Sequence, residues 1–169
     1  MWFHGALCLI MTFLCLVSAN PSIHITPTHI RVNALIGKNG AAGVQCWQVE
    51  PPLGTSQQSG TVGRNIQQLG NIKGATIVFF NATAPSTTGL HTAPAPQWVV
   101  TIAGRGVLIL PSTGQKIPLL AGSIIIANDT AAVAQVGHNN YWVAGSAVMQ
   151  LPFENGIVNH TVVNDGICR

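Results

Sequence analysis

The chain has 169 residues, 47% of them hydrophobic and only 7% charged, with a formal net charge of +3. Its seven Lys and Arg are scattered, without a basic run or interleaved aromatics, which excludes the electrostatic footprint of a nucleic-acid-binding protein. So little charge among many Gly, Thr, Asn and Gln suits a globular all-β domain that is exported.

The first element is a leader. Ala6 to Val17 is almost wholly apolar, and Val17-Ser18-Ala19 offers small residues for cleavage before Asn20. Residues 1–19 are therefore expected to be a signal peptide, with no membrane span left after its removal and a secreted product. The apolar run just reaches the lower limit for a span, and no basic stop-transfer cluster follows it. Cleavage leaves roughly 150 residues, enough for one hydrophobic core and short for two. Cys8 and Cys15 leave with the leader. Cys46 and Cys168 remain, and in an oxidising compartment they most simply pair with each other. Trp47, beside Cys46, is expected to pack against that disulfide. Three sequons, at Asn81, Asn128 and Asn159, agree with a lumenal route and mark the chain as a candidate glycoprotein. Asn81 is the least secure, because it abuts an apolar strand.

Residues 20–30 hold Pro21 and Pro27 and read as an extended, irregular arm. Residues 20–74 comprise this arm, the early strands and a Pro/Gly/Gln-rich loop, all of the same domain as residues 75–169. Short β-rich runs between turn signals place strands near Ile30–Ala34, Val44–Val49, Ala75–Phe80, Trp98–Ile102, Gly106–Leu110, Gln115–Leu119, Ser123–Ala127 and Trp142–Gln150. Ala103-Gly104-Arg105 and Pro111-Ser112-Thr113-Gly114 are turns. The Gly-rich pieces at Gly37–Gly43 and Gly54–Gly63 lack a following Lys-Ser/Thr and read as loops. A short helix over Val62–Leu69 is a weaker expectation. Ile124-Ile125-Ile126 is apolar on both faces, so that strand should be covered on both sides.

The most informative stretch is His91 to Gly104, HTAPAPQWVVTIAG. Successive side chains on a strand face opposite ways, so an inward Gln97 takes Val99 and Thr101 with it and sends Trp98 and Val100 to the other face. The acidic residues are Glu50, Asp129, Glu154 and Asp165 alone, and none pairs with another in sequence, which disfavours a glycosidase. No G-x-S-x-G elbow is present, which disfavours a serine hydrolase of the α/β type.

The layout His91-x-Ala93-Pro94-x-x-Gln97 with Gly104 resembles the first motif of the cupins, H-x-H-x3–4-E-x6-G, with Ala93 in place of the second His and Gln97 in place of the Glu. Ala121-Gly122-Ser123 and Ile124–Ala127, then Asp129-Thr130 and Gly137-His138, resemble the second motif. Small cupin-like proteins of microbes, including fungal secreted ones, carry this variant. The resemblance spans about Ala75 to Pro152 and implies a single cupin-like jelly-roll barrel. An immunoglobulin-like sandwich is the rival fold.

The resemblance also implies a degenerate metal site, in which His91, His138 and Gln97 hold one divalent transition metal (Fe, Mn, Ni, Cu or Zn). The alternative is that both histidines are ordinary pocket residues hydrogen-bonded to Gln97 or to backbone. Trp98, Thr101, Tyr141 and Trp142 are the candidate lining of a ligand pocket, against the alternative that the Trp rings are core. His24, His29 and His160 are expected to be exposed or loop residues rather than ligands. Three functions stay open: a secreted small-molecule-binding cupin-like protein, a metal-dependent isomerase, dioxygenase or decarboxylase, and a structural or host-interacting protein. A homodimer is a further candidate, since many cupins associate through their sheets.

Overall fold

The computed structural model describes residues 23–26 and 28–169. The expected leader, with Cys8 and Cys15, and the start of the arm lie outside the described residues. Among those residues every regular element is a strand: β1 (Ile23–Ile25), β2 (Ile30–Lys38), β3 (Gly40–Val49), β4 (Gly54–Thr55), β5 (Asn65–Ile66), β6 (Thr76–Phe79), β7 (Ser86–Thr87), β8 (Gln97–Ala103), β9 (Arg105–Leu110), β10 (Gln115–Leu120), β11 (Ile124–Ala127), β12 (Ala134–Val136), β13 (Asn139–Trp142), β14 (Ala147–Pro152) and β15 (His160–Asp165). No helix among them is long and apolar enough to cross a membrane.

The larger sheet runs β12-β3-β2-β11-β8-β14-β6, with β1 added to β2 and β15 to β3. It curls into a half-barrel. A smaller sheet, β10-β9-β13-β7, faces it. This all-β arrangement is consistent with a single barrel and compatible with a jelly roll.

Strand alternation divides the interior into two compartments. Leu35, Val44, Ile125, Ala127 and Val148 of the large sheet pack with Leu108, Leu110, Ile117, Leu119 and Trp142 of the small one, forming the core between the sheets. The other parity of the same large-sheet strands, Val32, Trp47, Val49, Trp98 and Ile126, builds a second cluster on the outer face. Leu53, Leu69 and Ile72 pack against it, so the Pro/Gly/Gln-rich stretch is a cover over the sheet rather than a free loop. Trp98 Nε1 donates to Leu69 O at 2.8 Å and pins that cover. Ile125 and Ile126 fall in opposite clusters, which accounts for a strand with no polar face.

Several sequence expectations change. Gly37–Gly43 is no loop: Asn39 (φ 52°) and Gly40 (φ 77°) make the two-residue turn of the long β2–β3 hairpin, where both central residues need positive φ. The single strand expected over Trp142–Gln150 is two, β13 and β14, which belong to different sheets and are separated by a turn with Gly145 at φ 73°. No helix forms over Val62–Leu69; Gly63 has φ 77°, and β5 pairs with β4 instead. Residues 23–25 of the arm form an antiparallel pair with residues 30–32.

Cys46 and Cys168 are bonded, with Cα atoms 4.7 Å apart. Trp47 does not share their face. It lies in the outer cluster and stacks on His160 at 3.5 Å between ring centroids, because its side chain leaves β3 opposite to that of Cys46. The C-terminus is held further by Asn33 Oδ1, which accepts from Cys168 N at 2.7 Å. Beside it, exposed Asp165 on β15 accepts from Gln45 and Lys38 of the β2–β3 hairpin, and these bonds hold its carboxyl below the ordinary value.

Candidate functional site

The inner compartment is not filled. A cavity of about 390 Å³ lies between the sheets. Val78, Phe80, Val99, Leu108, Leu119, Ile125, Ala127, Trp142 and Val148 give it apolar walls, and Thr88, His91, Gln97, Asn140, His138 and Gln150 add polar groups. No Asp, Glu, Lys or Arg is among the lining residues.

Two histidines distant in sequence meet here through backbone. His91 N donates to His138 O at 2.9 Å, and His138 N donates to His91 O at 2.8 Å. This reciprocal antiparallel bridge lies outside the named strands. It brings the imidazoles to 4.4 Å between centroids, tilted by 56°. Gly137 permits the approach. A Cβ at that position would overlap the His91 carbonyl and lie 2.8 Å from Thr92 N. The same segment continues to Ala93, which bridges Thr130 and donates its N–H to Asp129 O at 3.3 Å.

Each imidazole is held through Nδ1. His91 Nδ1 lies 2.9 Å from Gly89 O, and His138 Nδ1 lies 2.6 Å from Asp129 Oδ2. A backbone carbonyl and a carboxylate only accept, so Nδ1 carries the proton in both rings. Neutral rings in this tautomer present Nε2 as a lone-pair acceptor. Asp129 is fully buried (0% exposed), and its Oδ1 has no partner among the described residues. His138 is 5% exposed.

Asp129 is the component that sequence reasoning missed. The Asp129-Thr130 and Gly137-His138 resemblances were legible singly, but nothing in their spacing says that carboxylate and imidazole touch. Asp129→Leu should lower stability by about 2–3 kcal/mol, because it leaves the His138 Nδ1 donor buried without a partner. Asp129→Asn, which keeps an acceptor oxygen, should lose less. Urea denaturation gives the stabilities, and nitrogen-15 imidazole shifts give the tautomer. A His138 ring that keeps its Nδ1–H form in Asp129→Leu would contradict the positioning role.

The remaining site residues divide. Gln97 and Trp142 line the cavity with the two histidines. Trp98 does not, since it is buried on the opposite face of β8. Thr101 shares the parity of Gln97 and is buried but lies beyond the lining, and Tyr141, 46% exposed, faces solvent. The placements of Trp98 and Tyr141 follow from strand parity, because each is one residue from a lining neighbour. Phe80, unmarked in the sequence reading, stacks on Trp142 at 4.8 Å. Gly106, directly opposite Trp142 in register, makes room for the indole: a Cβ there would lie 2.8 Å from Trp142 Cδ2. Trp142 Nε1 and Asn140 Oδ1 are buried without partners among the described residues.

As a metal shell the set is incomplete. It offers two imidazoles and one neutral amide. The position of the motif's second His is the buried Ala93, and no carboxylate reaches the cavity. Among the described residues no group of three or more His, Cys, Asp or Glu is placed to hold an ion. His29 instead meets Glu50 at 3.2 Å, and His160 stacks on Trp47. Of the three sequon asparagines, Asn81 and Asn159 are exposed and Asn128 is half-buried.

The chain matches no protein-family model, and no match was found among curated proteins or solved structures.

Proposed function

We propose that this is a secreted, cupin-like binding protein that holds a small, mainly apolar molecule between its two sheets. The observation that carries the reading is the 390 Å³ cavity, whose apolar walls are joined by a few converging polar groups. The disulfide is compatible with an extracellular protein. The His91-to-Gly104 and Gly137-His138 resemblances support the cupin assignment, and the leader and sequons support export and glycosylation. A binder suits the lining better than a metalloenzyme does, since the donors lack the negative charge that a divalent ion favours.

N-phenyl-1-naphthylamine, a neutral fluorophore that brightens in apolar surroundings, tests the reading. The native protein should enhance its emission saturably. Ala127→Phe, which projects a ring from β11 into the cavity, should weaken binding by about tenfold or more, the loss of a filled apolar pocket. Circular dichroism confirms that the variant folds. Equal enhancement by both proteins would place the fluorophore elsewhere and remove the support for an internal site. Stoichiometric transition metal that disappears in His91→Ala would favour the metalloenzyme instead.

A further inference from the structure

We infer that the ligand is an uncharged aromatic or compact cyclic alcohol, a phenol in the simplest case, whose hydroxyl donates its proton to the His91–His138 pair. The inference rests on the binding reading above and adds the chemical class.

Charge is the first constraint. With no Asp, Glu, Lys or Arg in the lining, an ionised ligand would find no permanently charged partner there, which disfavours it. The second is hydrogen-bond polarity. Nδ1 of both rings donates to a fixed protein acceptor, so in a neutral imidazole Nε2 is left as the acceptor, on two residues that line the cavity. Two acceptors on rings 4.4 Å apart cannot satisfy one another, and Asn140 Oδ1 adds a third, buried and unpartnered. Asn140 Oδ1 and, in neutral imidazoles, both Nε2 atoms are left to take a proton donor from the ligand.

A hydroxyl supplies one and also accepts, which suits the unpartnered Trp142 Nε1–H and the amide of Gln97. An ether or ketone supplies no proton, and a carboxylate supplies none and brings charge. The third constraint is shape. Phe80 and Trp142, stacked within 17° of parallel, both line the cavity and favour an aromatic or compact ring as its occupant.

Three matched probes separate these properties: 4-propylphenol, 4-propylanisole and 4-propylbenzoate, titrated at neutral pH into chelator-treated protein by displacement of the naphthylamine fluorophore. The phenol should bind about tenfold more tightly than either analogue, the effect of one well-made hydrogen bond. In His91→Phe the ratio of phenol to anisole affinity should shrink to about twofold or less, whatever the change in absolute affinity. His138→Leu is the second variant, and near-UV circular dichroism confirms that each retains its tertiary packing.

Anisole binding as tightly as the phenol would overturn the donor requirement while leaving the cavity as a binding site. Benzoate binding tightest would overturn the neutrality argument. A bound fluorophore displaced by none of the three would also overturn the inference. Failure of the fluorophore itself to bind would instead remove the underlying function.

Discussion

The double variant Cys46→Ser/Cys168→Ser should lose about 4–5 kcal/mol of unfolding free energy, a large share of what a domain of this size commonly has. The bridge joins residues 122 apart in sequence, so its main effect is to restrict the unfolded chain rather than to add contacts to the folded one. In the folded state β15 already lies against β3 through its own ladder, and Cys168 N already bonds Asn33 Oδ1. Those contacts alone must hold the C-terminus once the bridge is gone. Guanidinium denaturation of the native and double-variant proteins measures the difference. A loss below about 2 kcal/mol would mean that the unfolded chain is already confined near its native ends, contrary to the chain-entropy account.

Gly137→Ala should be nearly as damaging and more local. The added Cβ meets the His91 carbonyl and Thr92 N, all main-chain atoms that cannot swing aside as a side-chain tip could. The two segments must part, and both hydrogen bonds of the His91–His138 bridge go with them. Overpacking and two lost buried hydrogen bonds together cost about 3 kcal/mol or more. Fluorophore affinity should fall by about tenfold at temperatures where the variant is still folded, because the imidazoles no longer meet. Denaturation and probe titration on the same preparation check both parts. A destabilised variant with undiminished affinity would show that the bridge supports the fold without shaping the cavity.

How far the chain announced these features depends on whether the signal was local. The hairpin β9–β10 was legible because Pro111 to Gly114 is a turn sequence between two β-rich runs. The β2–β3 hairpin was equally local, with Asn39-Gly40 at its tip, but its flanking glycines disguised it as a loop. β15 gave little warning, since Val162 and Val163 are both exposed and the strand shows no alternation. The two cysteines left after the expected leader made the disulfide legible.

The site was legible only in pieces. His91, Gln97 and His138 were marked by motif spacing, and Trp142 by its type. The contact of Asp129 with His138 depends on how a loop folds behind the ring, and the cavity itself depends on two sheets that pair strands far apart in the chain. Parity was the most reliable guide: an inward Gln97 requires an outward Trp98, and the structure places them so.

That parity has a mechanical consequence. β8 is a partition with a different neighbour on each side, Gln97 and Val99 toward the cavity and Trp98 toward the cover. Sliding it by one residue would drive Trp98 into the cavity and Gln97 beneath the cover, so both compartments resist the same displacement at once. Its register is fixed on its flanks as well, by β11 and β14. Fit to a ligand must therefore come from the ligand's own shape and from the segments carrying His91 and His138, while the wall formed by Gln97 and Val99 stays where the fold has set it.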